Sequence, residues 1–464
     1  MSSRLALDLL PLLVYLILLF RVGLRARRSN ADEKEFLLSG RQLTIPAFVA
    51  TLVTTWYGGI LGIGEFVYSS GVSAWLVMGL PYYVFALLFA LFLAPRIRKA
   101  ENVSIPDMMY RMHGKRVGAI SGLFVVLMTS PAPYILMLAV LLKYFLHWPL
   151  VPAIVVSAVI SVSYVYWGGF RSVVQTDKLQ FLFMFGGFLL LVFFLAFKVL
   201  PPAHLFERLD AQHLSFKGNL SWQQIVVWFS IASWTFIDPG FHQRCAAARS
   251  PQVARRGILI SIVFWALFDG LTLLSGLYAF ALLPGIEPIL AYPALASQYL
   301  PPFLRGLFFV GLFATIMSTI DSYTFLSAIG IGRDLIWEMQ KKKSADANKQ
   351  VRFGLIVTGI IAVFMAYSIP SVVELWYSLG SLFIPPLIFP VLGAFWKKLK
   401  IPSSYFVTMM VGSFLIGLAL FIWGRLQAVD GQAVYPFGVE PFFPAFAFSL
   451  AVLLIGKITR NAER

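Results

Sequence analysis

Charge is scarce in this chain. Only 12% of its 464 residues are Asp, Glu, Lys or Arg, against about a quarter in an ordinary soluble domain. Cysteine is scarcer still. Cys245 stands alone, so no intrachain disulfide can form and the redox compartment cannot be read from it. Histidine is limited to five residues without the spacing of a zinc site. There is no Walker-type phosphate loop. The glycine string from Gly59 to Gly64 lies inside an apolar run rather than after a strand, so it is no dinucleotide fingerprint. No enzyme, resident metal or organic cofactor is expected. What the chain has instead is 59% hydrophobic residues and a mean hydropathy of +0.81. That is too apolar for a surface facing water, and lipid is the solvent it fits.

About 20 apolar residues cross the hydrocarbon core as a helix. On that criterion the sequence predicts an all-α, polytopic membrane protein of about 13 spans, at 4–23, 44–69, 73–95, 117–145, 150–168, 175–199, 222–243, 257–283, 302–332, 353–370, 372–396, 402–424 and 436–457. The first is read as a retained span. Asp8 interrupts it, no small-residue cleavage site follows, and arginines do. The net charge of +16 could suggest nucleic acid, but its placement argues for a bilayer. Arg25, Arg27 and Arg28, then Arg96, Arg98 and Lys99, then Arg249, Arg255 and Arg256, then Lys341, Lys342 and Lys343 fall on alternate loops. The loops between carry little: Glu287 alone between 284 and 301, Asp430 alone between 426 and 435. The positive-inside rule therefore predicts a multi-pass protein of the cell membrane with its N-terminus outside and its C-terminus in the cytoplasm.

Two spans are interrupted. Thr54-Thr55-Trp56-Tyr57-Gly58-Gly59-Ile60-Leu61-Gly62 places three glycines in the second, and Ser233-Trp234-Thr235-Phe236-Ile237-Asp238-Pro239-Gly240 places an acid, a proline and a glycine in the seventh. Proline removes a backbone donor and obstructs the preceding turn. Irregular backbone at membrane depth persists only where it is buried or lines a cavity, and a matched pair of broken spans points to a transporter's binding site. Close helix packing through the glycines is the alternative. The breaks open two blocks, which divide the chain into 1–43, 44–199, 200–396 and 397–464.

The ionisable residues within spans are all acids: Glu65, Asp177, Asp238, Asp269, Asp321 and Glu374. Each is a functional candidate because burial of charge in a membrane is costly. Glu65 and Glu374 fall near a span end, where water reaches, and Asp269 is given only a hydrogen bond to a neighbouring helix. No basic partner is expected at the same depth, since Lys143, Lys198, Arg305 and Arg425 lie near span ends and can snorkel. A bound cation would then supply the countercharge. In the ninth span Thr315, Ser318 and Ser322 share a helical face with Thr319 beside it, and oxygen ligands of this kind suit a hard cation.

Several segments resemble the sodium/solute symporter family. They are Lys34 to Arg41; the run Gly168-Gly169-Phe170-Arg171-Ser172-Val173-Val174-Gln175-Thr176-Asp177-Lys178-Leu179-Gln180; Gln243-Arg244; Ala314 to Ser322; and Phe395-Trp396-Lys397-Lys398, in the family's order. The resemblance implies a LeuT-like fold of two inverted five-helix repeats. It implies a main sodium site of backbone carbonyls from Thr54, Tyr57 and Thr315 with the hydroxyls of Ser318 and Thr319, and a second site of Asp177, Ser318, Asp321 and Ser322. Locally, Thr55 to Gly59 and Leu375-Trp376-Tyr377 look most like the high-affinity choline transporter branch. Trp56, Tyr82, Tyr134, Asp238 and Trp376 are then expected around the substrate. Aromatic faces attract quaternary ammonium ions, although Asp238 departs from that branch's aromatic. The expected activity is sodium-driven import of a small organic solute by a chain functional as a monomer. A transporter-fold sensor, a carrier coupled to another cation and a channel are the alternatives.

Overall fold

The computed structural model describes residues 3–26, 32–338, 346–368, 372–428 and 433–462. Arg27, Arg28, Asp430 and Lys341 to Lys343 lie outside these, as does the side chain of Glu374. Among the described residues there is no strand, only an isolated bridge between Leu43 and Ala248. The helices that position the site are α1 (Ser3–Arg25), α2 (Ile45–Trp56), α3 (Ile60–Ser70), α4 (Leu150–Lys198), α5 (Trp222–Ile231), α6 (Pro239–Ala247), α7 (Pro251–Leu282), α8 (Leu304–Ile329) and α9 (Val372–Phe395).

Among the described residues, eleven helices are long and apolar enough to cross a membrane, where the sequence predicts thirteen. Both differences have local causes. The run 222–243 is cut by its own Asp-Pro into α5 and α6, each too short to span alone. The runs 150–168 and 175–199 meet without a loop in α4, as two helical segments joined at a non-helical Gly169, whose φ of 58° and ψ of −155° suit only glycine; of the first, Leu150–Ile160 is an apolar helix too short to count. Phe36 packs into that bend, where a Cβ on Gly169 would meet its ring.

α4 and α8 pack along each other at the centre of the molecule. Small residues set how close they come. A Cβ on Gly187 would lie 3.2 Å from the Gly311 Cα, and one on Gly311 would lie 2.8 Å from the Phe183 carbonyl oxygen. Without side chains at these points the backbones approach, and this is what brings Asp177 of α4 against Ser318 of α8. α1 lies on the same pair. The Ser172 hydroxyl donates to the Gly23 carbonyl at 2.9 Å, and Arg305 pairs with Asp8. Asp8 is therefore a partnered residue, although it interrupts the apolar run.

The segment before α2 is stitched to the segment after α6. Leu43 donates its N–H to the Ala247 carbonyl at 3.1 Å, and Arg249 donates to the Leu43 carbonyl at 3.0 Å. The Gln243 amide also donates to the Leu37 carbonyl at 3.2 Å. At the same end Arg333 pairs with Glu33 at 2.6 Å and Asp107 at 3.5 Å, and Arg171 pairs with Glu35 at 2.9 Å.

Candidate functional site

The first break is a 3₁₀ turn, Tyr57–Gly59, between α2 and α3. It forms because other helices press into space a side chain would fill. A Cβ on Gly58 would fall inside the Thr319 side chain, and one on Gly59 inside the Trp376 ring. A 3₁₀ turn shifts the hydrogen-bond register and leaves carbonyls available at the helix end. The Thr319 hydroxyl of α8 already reaches this point, donating to the Thr55 carbonyl at 2.7 Å.

Beside it lies a fully buried polar cluster. Asp177 accepts from the Ser318 hydroxyl at 2.6 Å and from the Thr51 hydroxyl. The Thr55 and Ser322 hydroxyls are 2.9 Å apart. Thr54, Tyr57, Thr315, Ser318 and Thr319, expected to hold the main sodium ion, are all buried, as are Asp177, Asp321 and Ser322. Thr54 and Thr315 turn their hydroxyls to their own helices, to the Ala50 carbonyl at 2.8 Å and the Gly311 carbonyl at 2.7 Å. For them the backbone carbonyl is the group in question.

Contrary to the expectation that no basic group shares this depth, Arg244 does. Its guanidinium is buried. Nη2 donates to Ser322 at 2.7 Å, Thr55 at 2.9 Å and Thr51 at 3.1 Å, and lies 3.9 Å from the Asp177 carboxylate. The ring of Phe170 lies below it, 5.2 Å from the guanidinium carbon. Sequence position had placed Arg244 in a loop. The break before α6 turns the chain so that its last-turn arginine reaches inward. Thr51 and Thr55 were also missed as side-chain partners. Their i, i+4 spacing on the face that meets Asp177 was the available signal.

The second break comprises a 3₁₀ turn, Ala232–Phe236, followed by an extended Asp238 (φ −67°, ψ 115°) that caps α6. Pro239 is at the first helical position, where its missing N–H costs nothing. The Asp238 carboxylate accepts from the Phe241 N–H at 3.0 Å, the Trp234 indole at 2.8 Å and the Tyr323 hydroxyl at 2.8 Å.

Between the breaks is a cavity of about 110 Å³. Of the expected substrate residues, Trp56, Tyr82, Tyr134 and Trp376 line it; Trp228, Trp234 and Tyr323 line it as well. Asp238 is not among the lining residues but stands behind two of them. The rings brace one another. Trp56 meets Tyr82 edge-on at 4.8 Å between centroids, and Tyr134 lies 5.4 Å from Tyr323. On the far side of Trp56, Asp269 accepts from the hydroxyls of Tyr57, at 2.7 Å, and Tyr83. It does bond to neighbouring helices, and one of its partners belongs to the first break.

A buried hydroxyl–carboxylate cluster against one broken helix, with an aromatic cavity reaching to a second, defines a LeuT-like membrane carrier. Comparison with known proteins agrees. Residues 36–412 match the model of the sodium:solute symporter family, and the chain belongs to that family. It is a transporter and not an enzyme. Its relatives include the high-affinity choline transporter 1 of Drosophila melanogaster, 26% identical over 97% of this chain and 76% of that one. The sodium/pantothenate symporter of Haemophilus influenzae is 24% identical over 97% and 96%. The solved structure of a Na⁺-coupled sialic acid symporter in a substrate-bound outward-open state superposes with a TM-score of 0.81, covering 98% of this chain and 97% of that one at 19% identity. It supports the fold.

Proposed function

We propose that the chain imports a small organic cation, driven by sodium entering through the cluster at the first break. The observation carrying this reading is the cavity wall of Trp56, Tyr82, Tyr134, Trp228, Trp234, Tyr323 and Trp376, with the Asp238 carboxylate behind Trp234 and Tyr323. Aromatic faces attract a cation electrostatically, more strongly where water is excluded. A carboxylate hydrogen-bonded to two of the rings' polar edges makes those rings more electron-rich. The choline transporter among the relatives is consistent with this class.

The sodium ligands in this reading are the carbonyls of Thr54, Tyr57 and Thr315 and the hydroxyls of Ser318 and Thr319. Because these come from both α2 and α8, a bound ion would hold the two together next to the substrate cavity. Each ligand would then raise the other's affinity by the same factor. The repeats would run 44–199 and 200–396, one break in each. The chain would sit in the cell membrane with its N-terminus outside and the Arg333–Glu33 and Arg171–Glu35 pairs on the cytoplasmic side, as the basic loops favour. It would work as a monomer.

The test is uptake of radiolabelled choline and betaine into proteoliposomes with and without an inward sodium gradient. Saturable, gradient-dependent uptake is expected, abolished by Ser318→Ala with Thr319→Ala. Uptake indifferent to sodium, or driven equally by protons or potassium, overturns the coupling. A thermal shift with neutral or acidic solutes but none with quaternary ammonium ions overturns the substrate class.

A further inference from the structure

The span read from the sequence as 117–145 is interrupted too. One helix ends at Met128 and the next starts at Ala132, with Thr129, Ser130 and Pro131 between. In a continuous helix the carbonyls of Met128, Thr129 and Ser130 would accept from the N–H groups of residues 132, 133 and 134. None does so. Ala132 donates to the Ser130 hydroxyl at 3.4 Å, Pro133 has no N–H, and Tyr134 donates to the Pro131 carbonyl at 3.1 Å. The Val126 carbonyl is freed in the same way, because Ser130 donates to the Leu127 carbonyl at 3.2 Å. Ser327 of α8 takes that one up, its hydroxyl donating at 3.2 Å. Among the described residues no donor reaches the carbonyls of Met128, Thr129 and Ser130. They stand beside the aromatic cavity, since Met128, Ser130 and Pro133 line it. Ser130 is the one aliphatic hydroxyl among the described lining residues, and it is 2% exposed. It accepts from Ala132, and its own proton goes to no acceptor among the described residues. Tyr134, one helical turn on, belongs to the aromatic wall. Buried polar groups left without partners are costly, and the polar end of a ligand would satisfy these.

We propose that this third break is the specificity pole of the cavity: it recognises a hydrogen-bond donor at the far end of the cationic substrate, so that the ligand is a short ammonium ion bearing a hydroxyl rather than a carboxylate. The proposal rests on the cation reading above. A ligand hydroxyl would donate to a freed carbonyl and accept from Ser130. A carboxylate would bring its charge against the negative ends of the carbonyl dipoles. The cavity, at about 110 Å³, is well below the roughly 300–1,000 Å³ of sites for drug-sized molecules. The two ends of the ligand are therefore only a few bonds apart. A break that served packing alone would not distinguish a hydroxyl from a methyl group.

The experiment compares choline with n-propyltrimethylammonium, an isostere in which a methyl replaces the hydroxyl, and with betaine. Affinities are measured by isothermal titration of the purified full chain in detergent with sodium present. The native chain is expected to bind choline at least about tenfold more tightly than the isostere, because a site built to pair with a hydroxyl rejects the analogue lacking it. It is also expected to bind choline more tightly than betaine. Ser130→Ala should shrink the preference for choline over the isostere to within about threefold, while affinity for the isostere stays within about twofold of native. Equal native affinity for choline and the isostere, or tighter binding of betaine than of choline, overturns the proposal and leaves the cation reading intact. So does a folded Ser130→Ala that keeps the full preference or weakens both ligands alike. No binding of any of the three removes the cation reading as well. Should Ser130→Ala fail to fold, the native comparison decides alone.

Discussion

At the first break the backbone is opened by glycine and filled by other helices; at the second it is opened by proline and closed by its own carboxylate. Thr319 and Trp376 press onto Gly58 and Gly59, so the first break depends on α8 and α9 staying where they are. Asp238 caps α6 by accepting from Phe241, so the second break is largely self-contained. Its carboxylate bonds outward to Tyr323 of α8, while the bond from Trp234 stays within the break. The difference teaches that an interruption can be a contact point or a prefabricated joint. On the proposed reading, occupancy of the hydroxyl–carboxylate cluster by sodium should be felt at the first, and occupancy of the aromatic cavity at the second.

The comparison can be broken hardest at Gly58. Gly58→Ala drives a methyl into Thr319, and overpacking of this kind costs about 1–3 kcal/mol. Misplacing the reacting groups by about 1 Å costs on the order of a hundredfold, and sodium-driven uptake should fall by that much, read in proteoliposomes beside a thermal-unfolding measurement. Next, Asp238→Ala leaves the Trp234 and Tyr323 donors without their acceptor, at about 1–3 kcal/mol each. Substrate affinity should fall about tenfold or more while sodium half-saturation in ²²Na⁺ binding moves little. Equal effects on both ligands would erase the distinction drawn here. Trp376→Leu removes one face of the cavity, and losing about 0.5–2 kcal/mol of cation–π attraction should raise KM about 2- to 30-fold with a smaller change in maximal rate. The smallest effect belongs to Asp269→Asn. An amide oxygen still accepts from one of the two tyrosines, so sodium half-saturation should rise by about threefold, the cost of roughly half a typical hydrogen bond.

The membrane class, the helical fold and the two breaks were legible in the sequence because each depends on local chemistry: apolar length, the glycines at 58 and 59, the Asp238-Pro239 pair. The polar face of α8 was legible for the same reason, since helical spacing alone gathers Thr315, Ser318 and Ser322. Arg244 was not. Its position relative to Asp177 depends on where a broken helix redirects the chain, a property of the whole assembly rather than of residues 239–247. The count of thirteen rests on apolar length alone; among the described residues eleven helices are individually long and apolar enough to cross, and the remaining runs are divided at Asp238-Pro239 or joined at Gly169. Asp238 was found, but its place behind the cavity wall rather than on it follows from the reach of Trp234 and Tyr323, which no spacing rule specifies.

The backbone stitch between Leu43 and residues 247–249 has a mechanical consequence. The start of α2 and the end of α6 share hydrogen bonds, so the two interrupted helices are pinned at one end like the blades of a pair of shears. Neither can swing alone without tearing that seam. On the proposed reading, a tilt begun at the sodium cluster would be handed to the proline joint beside the cavity, with Leu43 as the rivet, and the two proposed ligand sites would keep time with each other.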